Sequence, residues 1–236
     1  MPCKMDLDLA ALQSAAALVH RTLSPTAQYN WPKLSRRAGC SVWVKHENHT
    51  PTGAFKVRGG LVYLERLRAA SPKVAGVISA TRGNHGQSIA YAAARARLSA
   101  TIYVPHGNTP DQNSAIASFG ARVVEFGRDF DESKHEAARV ADAEGLHFVP
   151  AFHRDLVAGV ASYALELFHA VGDLDCVYVG VGMGSIAEGA GAAPLAALLE
   201  ERGRMSNKRV GVILSGGNIE RARFLQVLNG ATPPAA

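Results

Sequence analysis

Apolar and polar positions along the chain switch between two periods, and the switches divide it into alternating elements. Leu9, Leu12 and Val19 share one side of a 3.6-residue repeat and predict a helix from Asp6 to Val19. Short β-rich runs predict strands at Ser41–His46, around Val42, Trp43 and Val44, and at Val74–Ser79 and Thr101–Val104. Further strands are predicted at Arg122–Phe126, His147–Val149, Cys176–Val179 and Val210–Leu214. Between them the helical period predicts Phe55–Ala69, His85–Arg97, Pro110–Phe119, Phe130–Glu144, Leu156–Ala170, Ile186–Glu201 and Ile219–Leu228. Pro110 suits a first helical turn, where its missing N–H costs nothing.

Strands separated by helices of this length imply crossover connections and parallel α/β sheets. Such sheets bind ligands in the loops at the carboxyl ends of their strands. Those loops are therefore where chemistry is sought.

The stretch Thr50-Pro51-Thr52-Gly53-Ala54-Phe55-Lys56-Val57-Arg58-Gly59-Gly60 delivers a lysine where a helix begins. A cation is disfavoured there by the helix dipole. The conflict disappears if the amine is neutral or tied up as an imine, the usual role of lysine toward carbonyl cofactors. A plain surface lysine is the alternative.

The loop Ser79-Ala80-Thr81-Arg82-Gly83-Asn84-His85-Gly86-Gln87-Ser88 leads into the next helix. Backbone N–H groups at such a start can hold an anion, with Thr81 and Asn84 adding side-chain hydrogen bonds. Ordinary capping by Thr or Asn is the alternative. Gly180-Val181-Gly182-Met183-Gly184-Ser185 places alternating glycines between a strand and a helix, which lets the backbone wrap a phosphate. A dinucleotide fingerprint would need glycine where Ser185 stands, and no Gly-Lys-Ser/Thr follows, so nicotinamide and P-loop readings are disfavoured. Leu214-Ser215-Gly216-Gly217-Asn218 puts a serine at a strand end, able to bond a heteroaromatic nitrogen or simply to form a turn. An imine-forming lysine, an anion-binding helix start, a glycine cup and a strand-end serine are together what pyridoxal 5'-phosphate requires.

Composition narrows the partners. The 236 residues are 47% hydrophobic and 19% charged, so a buried core is expected rather than disorder. The net charge of +5 comes from scattered Lys and Arg, which argues against nucleic acid and favours a phosphorylated cofactor or carboxylate substrate. Cys3, Cys40 and Cys176 are isolated and fit a reducing compartment. His85 has no second ligand at metal spacing, so no metal is expected. No signal-peptide core or apolar run of roughly 18 residues is present, so a cytoplasmic protein without membrane partners is expected.

The four segments, in this order, resemble the fold-type II pyridoxal-phosphate enzymes, with the serine/threonine dehydratases closest and serine racemase a near relative. The likeness rests on residues 51–59, Gly83-Asn84-His85-Gly86-Gln87, the glycine loop at 180–184 and Ser215-Gly216-Gly217-Asn218. Thr109-Pro110, Gly120-Ala121 and Gly189-Ala190-Gly191-Ala192-Ala193 extend it to roughly residues 20–228. The resemblance implies two parallel-sheet α/β domains like those of the tryptophan synthase β chain. Residues 1–73 and 153–236 would form a large cofactor-binding domain, and 74–152 a small one. It implies that Lys56 carries the cofactor and removes the substrate Cα proton. Phe55 would pack beside the cofactor and Asn84 would bond its phenolic oxygen. Gly180, Gly182, Gly184 and Ser185 would hold its phosphate, and Ser215 its pyridine nitrogen. Thr81, Arg82, Gly83 and His85 fall in the loop for the substrate carboxylate, and Glu188 matches a glutamate near the cofactor.

The implied reaction is β-elimination of a hydroxy amino acid, L-threonine or L-serine, to a 2-oxo acid and ammonia. Racemisation or β-replacement are alternatives. Arg82 stands where racemising members carry a serine, and arginine is a poor proton shuttle. It would instead attract a carboxylate, or be a solvated loop charge. Gly184-Ser185 runs almost directly into Glu188-Gly189-Ala190-Gly191, segments that lie far apart in the family. The large domain is therefore expected to be incomplete. A homodimer is expected if the chain folds, and weak or absent turnover is the third alternative.

Overall fold

The computed structural model describes residues 7–180, 187–219 and 221–231. Helix α1 (Leu9–His20) opens it, with the Asp8 carboxylate accepting from the Ala11 N–H as its cap. Strand β1 (Gln28–Asn30), helix α2 (Pro32–Ala38) and strand β2 (Ser41–His46) follow. Next come α3 (Lys56–Ala70), β3 (Gly76–Ala80), α4 (Asn84–Arg95), β4 (Ser99–Val104) and α5 (Pro110–Ser118). The chain continues through β5 (Arg122–Glu125), α6 (Phe130–Glu144), β6 (His147–Phe148), α7 (Arg154–Val160) and α8 (Ser162–Val171). Strand β7 (Cys176–Tyr178), α9 (Ala187–Glu200), β8 (Arg209–Leu214) and α10 (Arg221–Leu228) complete it.

The strands form two four-stranded sheets, ordered β1-β2-β8-β7 and β5-β4-β3-β6. Every pairing is parallel except β1 on β2, where Tyr29 faces Val44. Sequence periodicity does not predict β1 or α2. Three residues are too short to show a period, and α2 is a two-turn helix started by Pro32 and stopped by Gly39 in the left-handed conformation. The helix expected at Leu156–Ala170 is two helices. They meet at Ala161, where the Ser162 hydroxyl donates 2.7 Å to the Gly159 carbonyl.

Helix α3 holds the two sheets' supporting layers together. Its residues Val57–Leu64 are all buried, and it packs on both α4 and α7. Gly59 and Gly60 each cost a helix about 1 kcal/mol relative to alanine. Burying Val57, Leu61, Val62 and Leu64 returns about 1.5–3 kcal/mol apiece, so packing rather than propensity maintains the helix. The glycines are needed for approach. A Cβ on Gly60 would lie 2.4 Å from Ser88 Oγ on α4, and one on Gly159 would lie 2.4 Å from the Arg58 carbonyl. Val57, Leu61, Ile89, Ile102 and Ala158 share the resulting core. A second core of Val42, Val210, Val212 and Leu198 covers the first sheet.

Candidate active site

Lys56 is the first residue of α3. Its amine lies 5.3 Å from the centre of the Phe55 ring, and burial pushes its pKa below the ordinary lysine value. Among the described residues that amine makes no hydrogen bond and no ion pair. The helix start therefore carries a half-buried, partly desolvated amine with no partner among the described residues.

The loop after β8 lies along the segment before α3. The Phe55 N–H donates 3.0 Å to the Ser215 carbonyl, and the Gly217 N–H donates 2.9 Å to the Gly53 carbonyl, around a bridge between Ala54 and Gly216. Ser215 is buried, and its hydroxyl has no partner among the described residues. Gly53 has φ +65, a left-handed turn that only glycine adopts without strain, and a Cβ there would meet Asn218 Oδ1 at 2.3 Å. This glycine is required by both backbone and space.

The start of α4 arrives from the other side. The Ser88 hydroxyl donates 2.7 Å to the Lys56 carbonyl, tying α4 to the first residue of α3. Asn84 Oδ1 accepts 2.7 Å from Asn218 Nδ2, which also donates 2.8 Å to the Thr52 carbonyl. Helix α4, the pre-α3 loop and the post-β8 loop thus converge on one place.

Thr81, Gly83 and His85 occupy this junction in different ways. Thr81 is buried, and its hydroxyl oxygen accepts from the N–H groups of Gly83 at 3.0 Å and Gly86 at 3.3 Å. The amides of Asn84 and His85 donate to nothing among the described residues. His85 turns its ring inward. The Ser79 hydroxyl donates to the Val149 carbonyl at 2.7 Å, so it must accept the 3.2 Å bond from His85 Nε2–H. Burial, helped by the Lys56 charge, brings the His85 pKa down to about 3, so the ring is neutral. The His85 ring is committed to Ser79, which leaves its main-chain N–H as the group with no acceptor among the described residues. Arg82 is exposed and forms no ion pair among the described residues.

A buried ion network fixes the base of the site, a feature that motif reading does not reveal. Arg58 is fully buried two residues after Lys56. It donates to Glu47 at 2.6 and 3.0 Å and to Glu166 at 2.6 and 2.9 Å. Lys45 also donates to Glu166, and to the Thr26 carbonyl at 2.7 Å. Burial alone raises the Glu166 carboxyl. Arg58, Lys45 and His20 outweigh it and bring its pKa to about 2. The only trace in the sequence is the Arg58 of the lysine motif; its partners lie on β2's exit and on α8.

Of the proposed phosphate group, Gly180 is half-buried after β7. Gly182, Gly184 and Ser185 lie outside the described residues, as does the side chain of Glu188 near the start of α9. Two open depressions of about 560 and 330 Å³ lie around Tyr91, Arg95 and Phe119 and around Thr22–Ala27 with Thr50 and Pro51. Neither is lined by Lys56, Asn84 or Ser215. The site is recognised by its groups without partners among the described residues.

These groups fit pyridoxal phosphate: a desolvated amine, a buried hydroxyl and an asparagine donor end, each without a partner among the described residues. The chain is 35% identical over 180 residues to the biosynthetic L-threonine dehydratase of Haemophilus influenzae, covering 76% of this chain and 35% of that one. It is also 35% identical over 161 residues to an L-threo-3-hydroxyaspartate ammonia-lyase of a Pseudomonas species, covering 68% of this chain and 50% of that one. The chain spans about a third of the length of the threonine dehydratases it matches. Among solved structures, a pyridoxal 5'-phosphate-dependent aspartate racemase superposes with a TM-score of 0.71 at 26% identity, over 88% of this chain and 62% of that one. The threonine deaminase isoform 2 of Solanum lycopersicum superposes at 0.82 with 19% identity, over 94% of this chain and 89% of that one, which shows the fold. The family profile described as pyridoxal-phosphate dependent enzyme matches residues 19–189, and with the fold and the amine at Lys56 it establishes that this chain belongs to the pyridoxal-phosphate-dependent enzymes, in their fold-type II group.

Proposed function

We propose that the site performs β-elimination on a hydroxy amino acid, L-threonine or L-serine, releasing a 2-oxo acid and ammonia. The observation that carries this reading is the Lys56 amine, desolvated and without a partner among the described residues, between the Asn84 and Ser215 segments. Pyridoxal phosphate, when bound, supplies the electron sink that makes a substrate Cα–H acidic. Lys56 is the covalent anchor and, once displaced, the base that takes the Cα proton; its lowered pKa keeps a larger uncharged fraction at neutral pH than a free lysine has. Ser215 would offer a neutral hydroxyl to the pyridine nitrogen, which would suit loss of a β-leaving group. Asn84 would donate to the cofactor's phenolic oxygen, and Phe55 would pack beside its ring. Gly180, Gly182, Gly184 and Ser185 would hold its phosphate, and Glu188 matches a glutamate near the cofactor, as the family resemblance implies. The free amides of Asn84 and His85, in the loop of Thr81 and Gly83, hold the substrate carboxylate.

Arg82 favours a second reading of the substrate. An exposed guanidinium without an ion pair among the described residues, in the loop proposed to bind the substrate carboxylate, suits a second carboxylate, as on a 3-hydroxy dicarboxylic amino acid. The similarity to a protein named L-threo-3-hydroxyaspartate ammonia-lyase supports testing it.

The division into residues 1–73 with 153–236 and residues 74–152 is part of the same proposal. The separate β5-β4-β3-β6 sheet supports it. So is pairing with a second copy of the chain. The decisive experiment titrates purified protein with pyridoxal phosphate and follows visible absorption. A band is expected that Lys56→Ala abolishes. Release of 2-oxo acid is then screened with L-threonine, L-serine and 3-hydroxyaspartate. Absence of a Lys56-dependent band overturns the reading; a band without turnover marks a cofactor-binding chain that does not complete the reaction.

A further inference from the structure

The side chain of Asn218 touches two parts of the site and sets the direction of a third group. Its Nδ2 donates 2.8 Å to the Thr52 carbonyl. A backbone carbonyl only accepts, so Asn218 must present its NH2 rather than its amide oxygen to that corner. The same NH2 lies 2.7 Å from Asn84, so Asn84 must present its oxygen there. Oxygen and nitrogen of an amide are nearly equal in size, and such networks are what decide between the two orientations. The Asn218 backbone is itself held, because Gly217 bonds Gly53 and Gly216 bridges Ala54. Its oxygen packs against Gly53, where a Cβ would lie 2.3 Å away.

We infer that Asn218 is a positioning residue that keeps the Asn84 NH2 free for the phenolic oxygen of pyridoxal phosphate. The inference rests on the reading of Asn84 given above. The orientation passes along one chain of contacts: the Thr52 carbonyl fixes Asn218, Asn218 fixes Asn84, and the Asn84 donor end has no partner among the described residues. Without Asn218 the Asn84 amide is free to turn over and place its own oxygen against the ligand's oxygen. Asn218→Asp goes further. Its carboxylate accepts from the Asn84 NH2 and so favours the reversed orientation.

The test uses the full chain loaded with pyridoxal phosphate. Cofactor affinity and the pH midpoint of the visible band are measured for wild type, Asn218→Asp, Asn218→Ala, Asn84→Ala and the Asn84→Ala/Asn218→Asp double variant. Urea midpoints of the unloaded proteins monitor folding. Loss of one directed hydrogen bond is expected to weaken binding about tenfold. Asn218→Asp and Asn218→Ala should both show it and shift the pH midpoint, and Asn218→Asp should add nothing in the Asn84→Ala background. A folded Asn218 variant with wild-type affinity and midpoint overturns the inference. So does an Asn218 effect that adds in full to that of Asn84→Ala, because it marks a structural role independent of Asn84. If Asn84→Ala alone changes neither readout while Lys56→Ala still abolishes the band, the assignment of Asn84 fails and this inference with it.

Discussion

The Lys56 amine combines two properties that seldom coexist in a folded protein: it is desolvated, and among the described residues it is unpaired. Burial disfavours its charged form, so the folded chain holds this proton less tightly than the unfolded chain, whose lysine has a value of 10.5. Between the lowered value and 10.5 the unfolded state binds more protons, so this residue's contribution to stability rises with pH. Lys56→Met in the unloaded protein should therefore be more stable than wild type at neutral pH. The gap should close as pH rises toward 10.5. Urea denaturation at several pH values checks this, and a gap that widens with pH contradicts it. The motif around Lys56 made the residue legible in the sequence because its neighbours are local: Gly53, Ala54 and Phe55 shape the turn that presents it. The direction of Asn84 was not legible. It depends on Asn218, which is 134 positions away in the chain.

Helix α3 presents Lys56 at its start and is fixed from three directions. Gly60 and Ser88 bring α4 close, Gly159 brings α7 close, and Arg58 ties α3 to Glu47 and to Glu166 on α8. The helix itself was legible from residues 55–69, one position earlier than observed at each end. The clamp beneath it was not, because a buried Lys or Glu has the same sequence signature as an exposed one until its partner is placed. Glu166→Ala leaves Arg58 with half its carboxylates and Lys45 without an ion pair, both fully buried. Breaking such a pair costs about 3–5 kcal/mol. A urea midpoint within error of wild type would show that the network does not carry the fold. Acid gives a second check. Glu166 is held at about 2 against 4.5 for a free glutamate, so its stabilisation is intact above 4.5 and is lost as pH falls toward 2. Glu166→Ala should flatten the acid limb of the stability curve in that window.

At the scale of the molecule, α1, α3, α4 and α7 share a core with β3 and β4 of one sheet while α8 packs on β2 of the other, and the site forms where the loop after β3 meets the loop after β8. Some apolar surface stays exposed: Val179 after β7, and Phe224, Leu225, Val227 and Leu228 on α10. Apolar groups clustered on one helix favour association, so the proposed pairing should appear as a concentration-dependent dimer by sedimentation. Phe224→Ser with Leu228→Ser should shift that equilibrium toward monomer, and a strictly monomeric wild type contradicts it. No helix among the described residues is long and apolar enough to cross a membrane. Sequence by itself determined the alternation of strands and helices, the parallel α/β class and the loops that carry Lys56, Asn84 and Ser215. These follow from local periodicity, turn residues and short motifs, each encoded within about ten positions. Tertiary structure alone decided which unpartnered groups stand together, that His85 turns inward to Ser79 while its amide stays free, and that Arg58 and Asn218 brace the site from behind. Those outcomes depend on burial and on hydrogen-bond partners far apart in the chain, and neither has a signature at the residues themselves.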